Sequence, residues 1–101
     1  DKLLEIINED KIDDIIADLA IYFYLMSNLN DMAMNEINIY IDSDKLKNSP
    51  FKFLFKETIA IKNLLSGKIQ ISKEKFDELI NDANTPRDIV IRATKFLDTI
   101  K

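Results

Sequence analysis

One glycine, Gly67, serves the whole chain of 101 residues. β-Hairpins draw heavily on glycine for backbone angles that other residues reach only with strain, so a chain this poor in glycine is poorly suited to an all-β fold. Helices need no glycine in their interiors and use it chiefly at their ends. The two prolines reinforce this reading, because each follows a hydroxyl residue: Ser49-Pro50 and Thr85-Pro86. A hydroxyl at the cap and proline in the first helical position make a standard helix start. The expected fold class is therefore all-α: a compact bundle of five to six helices with short connections, the last two forming a helical hairpin.

The period of apolar residues places the helices. Leu3, Leu4, Ile6 and Ile7 form a short opening stripe. A helix over 11–28, capped by Asp10, carries the stripe Ile12, Ile15, Ile16, Leu19, Phe23 and Met26. Over residues 19–26 it is apolar on every side, which marks a buried central helix. A third helix is predicted over 32–41, although the alternation Ile37-Asn38-Ile39-Tyr40-Ile41 also suits a strand. Helix is preferred because a lone short strand would lack a pairing partner. Residues 42–48 read as a polar loop and are the candidate hinge of a single helical domain, 1–101.

Ser49, Pro50 and Gly67 bracket the next helix, whose stripe is Phe51, Leu54, Phe55, Thr58, Ile61, Leu64 and Leu65. An extended link over 68–71 leads to a helix capped by Ser72, with Phe76, Leu79 and Ile80 inward. Thr85 caps the final helix in a capping box with Asp88, and Ile89, Ala93, Phe96, Leu97 and Ile100 share one face.

Composition removes several chemistries. The chain contains neither His nor Cys. A Ser-His-Asp or Cys-His centre, a thiolate zinc site and a disulfide framework are thereby excluded. Glycine-rich phosphate loops are excluded for want of glycine. The longest apolar run, residues 19–26, is far short of the roughly 20 residues needed to span a bilayer. The expectation is a cytoplasmic, non-enzymatic protein with no catalytic residue, cofactor, metal or membrane partner.

Charge is unevenly distributed. Residues 1–44 hold 11 acids and 2 lysines, net −9, whereas residues 45–101 are net +5. Asp10/Asp14 and Asp14/Asp18 are like-charged i, i+4 pairs, an arrangement that disfavours a helix unless a cation answers it. Asp10, Asp13, Asp14 and Asp18 are accordingly the candidate acidic face for a basic protein partner. A homo-oligomer, acidic half to basic half, is compatible with the same asymmetry. The leading expectation is a protein–protein interaction module, either a small adaptor or a helical domain of a larger assembly.

The alternative is a nucleic-acid-binding domain. The run Lys45-Leu46-Lys47-Asn48-Ser49-Pro50-Phe51-Lys52-Phe53-Leu54-Phe55-Lys56 interleaves cations with rings, as single-stranded nucleic acid prefers. Phe53 lies away from Phe51 and Phe55, so an exposed Phe53 would serve as a stacking ring. The last two helices share the gross shape of a helix-turn-helix. Lys52, Phe53, Lys56, Arg87 and Arg92 are the residues this reading requires.

Overall fold

The computed structural model describes residues 14–100. The stripe Leu3–Leu4–Ile6–Ile7, the cap Asp10 and the start of the helix read over 11–28 lie outside that range. Among the described residues the chain is all-α, with six helices and no strand. In chain order these are α1 (Asp14–Ser27), α2 (Met34–Ile41), α3 (Asp44–Lys47), α4 (Lys52–Leu65), α5 (Ile69–Asn81) and α6 (Arg87–Ile100). All connections are short, and the last two helices form the expected hairpin. The chain falls into two compact units, residues 1–52 and 53–101.

In the first unit α1 turns a different side inward from the one its period suggests. Ala17, Ala20, Ile21 and Leu25 are buried, along with Asp18. The stripe expected to face the core does the opposite: Ile15 and Ile16 are each 53% exposed and Phe23 is 50% exposed. On a helix apolar all round, period alone does not choose a side. Two alanines let a helix pack closely, and here the side that carries them is the buried one.

The strand-or-helix ambiguity at 37–41 is resolved by burial. Ile37 is fully buried, while Ile39 is 76% exposed. Alternation along a strand would put both on one face; a helix separates them. Glu36 reaches back to accept the Ala33 N–H at 3.2 Å, which tidies the start of α2.

The stretch 42–48, expected to be a loop, contains the single helical turn α3. Ser43 caps it by accepting the Leu46 N–H at 3.3 Å. Leu46, the lone apolar residue in that polar run, is buried. One buried leucine and one serine cap organise a segment whose average polarity suggested none.

The second unit is a three-helix arrangement. Phe53 and Ala60 of α4, Phe76 and Leu79 of α5, and Ile89 and Ala93 of α6 form one buried cluster. Leu54, Ile61, Ile80, Phe96, Leu97 and Ile100 pack around it. The expected inward stripes of α5 and α6 are found here. Polar links join the helices as well. Ser72 Oγ, fully buried, donates to the Ala60 carbonyl oxygen at 2.9 Å.

Two expected caps are altered. Ser72 lies inside α5, because the helix begins at Ile69, directly after the preceding turn. Thr85 Oγ1 is buried without a hydrogen-bond partner, so the capping box with Asp88 is not formed. The Pro86 carbonyl instead accepts the N–H groups of Ile89 and Val90, both at 3.1 Å. At the start of α4 the Ser49 hydroxyl accepts a backbone N–H as expected, that of Phe51 at 3.1 Å, but regular helix begins two residues beyond Pro50, at Lys52.

Gly67 closes α4 as expected. Its φ of +79° is the only positive value among the described residues. Lys68 N–H donates to the Asn63 carbonyl at 2.9 Å and Gly67 N–H to the Leu64 carbonyl at 3.1 Å. This paired closure is the Schellman arrangement. A Cβ at position 67 would meet no atom within 4 Å. The Gly67→Ala variant therefore loses stability through backbone strain alone, by about 1 kcal/mol, read as a thermal midpoint lowered by roughly 4–8 °C.

Candidate interaction surfaces

The acidic face expected from the sequence is divided by the fold. Asp10 and Asp13 lie outside the described residues. Asp14 is exposed, but Asp18 is only 3% exposed and belongs to the interior. Lys45 Nζ, from α3, stands 3.5 Å from Asp14 Oδ1 and 3.5 Å from Asp18 Oδ1. The cation that the like-charged pair called for is thus supplied from within the same unit. Asp18 Oδ1 makes no hydrogen bond, so its attraction to Lys45 is a charge contact without a directed bond. Sequence reasoning missed Lys45 because it lay in the stretch taken for a loop.

The basic-aromatic surface is also reduced. Lys52 and Lys56 are exposed, but Phe53 is only 7% exposed and belongs to the buried cluster. Lys56 Nζ sits 5.2 Å from the centre of the Phe53 ring, a cation–π contact made within the helix. Phe53 is therefore a core residue and offers no stacking surface. Its burial follows from its place about two turns before Ala60, on the side of α4 that faces α5 and α6.

Arg87 is exposed. Arg92, in contrast, is held by Glu57 of α4. Its Nε donates to Glu57 Oε2 at 2.9 Å and its Nη2 to Glu57 Oε1 at 3.1 Å, a two-point clasp. Asp88 Oδ2 lies 3.5 Å from Nη1 on the exposed side. Glu57 is almost wholly buried, so its carboxylate depends on that guanidinium. A guanidinium fixed in this way is a poor reader of nucleic acid.

Comparison with protein-family models, with curated proteins and with solved structures gives no match. What the chain does has to be argued from its own surfaces.

The most distinctive of these is the outward side of α1. Ile15, Ile16 and Phe23 are exposed, and Leu19, Tyr22 and Met26 are half-buried on the same side of the helix. No charged residue occurs from Leu19 to Asn30. A solvent-facing helix side normally carries charges; this one offers apolar and aromatic bulk. The two tyrosines of this helix, Tyr22 and Tyr24, are both half-buried, and Tyr24 packs against Tyr40 with ring centres 5.7 Å apart. The exposed ring belongs to Phe23, which lies between them. Met32, just beyond the end of α1, is buried.

Burial, followed by the neighbouring Tyr24, pushes the Tyr40 phenol above its ordinary value. That moves its titration further from neutrality and makes it a weaker candidate for acid–base work. Among the described residues no three acidic side chains converge as a cation site would require. No described helix is long and apolar enough to cross a membrane.

Proposed function

We propose that this chain is a non-catalytic protein-interaction module that docks a partner on the outward side of α1. The observation that supports this reading is the exposure of Ile16 and Phe23 on a helix side without charge. Large apolar residues at i, i+3 and i+7 (Ile16, Leu19, Phe23) are the anchors by which a helix seats in an apolar groove. Asp14, the first described residue of the same helix, already faces Lys45 at 3.5 Å, so apolar contact rather than charge is what this surface offers a partner. The absence of His and Cys, together with the titration of Tyr40, supports a role in binding rather than catalysis.

The test is capture of proteins from cell extract on the immobilised chain, with and without nuclease. The Ile16→Asp/Phe23→Asp double variant is the control. We expect a protein that survives nuclease and is captured at least tenfold less by the variant, with helix content unchanged by circular dichroism. Capture that disappears with nuclease would shift the reading to nucleic acid through Lys52, Lys56 and Arg87. Equal capture by the double variant would remove α1 as the docking surface.

A further inference from the structure

The second unit carries a groove of about 380 Å³ lined by Leu64 of α4 and by Arg92, Lys95, Phe96 and Thr99 of α6. Its volume lies at the small end of the range for small-molecule sites, about 300–1,000 Å³, with room for one unbranched chain of about ten carbons. Leu64 and Phe96 make it apolar. The Phe96 ring is stacked on the fully buried Phe76, with ring centres 4.9 Å apart and planes 12° from parallel, so that wall is fixed in advance.

The two charged residues of the lining are both cations, and they differ in availability. Arg92 is clasped by Glu57, whose carboxylate offsets its charge. Lys95 is exposed and forms no ion pair among the described residues. Thr99 Oγ1 donates to the Lys95 carbonyl at 2.9 Å and keeps only acceptor capacity. The groove thus combines an apolar floor, a neutralised wall and one ammonium group at its rim. We infer that it binds a carboxylate-headed aliphatic chain, with the tail along Leu64 and Phe96 and the head at Lys95. The site lies in a different unit from the docking side of α1, and it stands or falls independently of that reading.

The experiment titrates the full chain with decanoate, decan-1-ol and decylamine below their micelle thresholds, following amide and methyl shifts by NMR. Decanoate is expected to bind saturably, with the largest shifts at Leu64, Phe96 and Thr99. Octanoate, two methylenes shorter, binds about tenfold more weakly. Lys95→Glu weakens decanoate at least tenfold, and Thr99→Phe, at an exposed position, fills the groove and abolishes binding. Equal affinity for decan-1-ol or decylamine would overturn the role of Lys95. Absence of saturable binding, shifts centred on Ile16 and Phe23, or undiminished binding by Thr99→Phe would overturn the site itself.

Discussion

Replacing Arg92 with Ala lowers the stability of the protein by about 3 kcal/mol. The variant removes the two-point clasp at 2.9 and 3.1 Å and leaves the Glu57 carboxylate buried without its partner. The loss arises mainly from that stranded charge and much less from the ion pair itself. Arg92 is 42% exposed, so some water reaches the vacated space, which places the effect at the lower end for a broken buried pair. Urea unfolding followed by circular dichroism measures it as a lowered midpoint with an unchanged slope. Removing both charges together, Glu57→Leu with Arg92→Met, is expected to leave stability within about 1 kcal/mol of the parent, since two apolar side chains of similar volume can replace a buried pair. A single Arg92→Ala loss below about 1 kcal/mol would show that Glu57 does not depend on this guanidinium.

Phe76→Ala is the second large effect, about 3–5 kcal/mol. Phe76 is fully buried at the centre of the three-helix cluster and stacks on Phe96. Truncation loses the transfer of the ring from water, opens a cavity between α5 and α6, and removes a ring pair that contributes about 0.5–1.5 kcal/mol beyond its area. Small domains are stable by only about 5–15 kcal/mol, so this one residue accounts for a large share. Thermal unfolding is expected to fall by 12 °C or more, at roughly 4–8 °C per kcal/mol. Phe76→Leu keeps most of the volume and is expected to cost about 1.5 kcal/mol. If the two variants proved equal, the ring would not be packed as described.

The second unit was largely legible in the sequence because its signals are local. Ser49-Pro50, Gly67 and Thr85-Pro86 mark helix ends within a few residues of where they fall, since caps and the left-handed glycine act over a single turn. The apolar sides of α5 and α6 alternate cleanly with charged ones, so period alone orients them. The first unit was harder for a physical reason. From Leu19 onward α1 has no polar side, and its inward face is chosen by the fit of Ala17 and Ala20, which no period reports.

The polar pairs were illegible for a different reason. Asp18 meets Lys45 from 27 positions away, and Glu57 meets Arg92 from 35 positions away. Asp18 read as surface because neighbouring acids suggested a solvated face. Arg92 read as an available cation because the one acid near it in the chain, Asp88, is exposed and its i, i+4 pairing is weak, while Glu57 is remote in sequence. Phe53 was assigned outward by its angle from Phe51 and Phe55, yet α4 is buried on more than one side, with Phe53, Glu57 and Ala60 as well as Phe55, Thr58 and Lys62 inside. A helix enclosed to that extent breaks the assumption of one wet side and one dry side.

The short side chains of the second unit have a consequence of their own. Ala60, Ser72 and Ala93, one from each helix, are completely buried, and the Ser72 hydroxyl reaches a backbone oxygen of the neighbouring helix. At these positions the space between helices is measured in single methyl groups. A lineage carrying this fold can drift widely along the exposed sides of α5 and α6 but has almost no latitude at these three places. There, one added branch would push two backbones apart and carry the stacked rings and the Glu57–Arg92 clasp with them. Divergent descendants would therefore be easiest to recognise by the spacing of three small residues across the three helices, long after their surfaces had ceased to resemble one another.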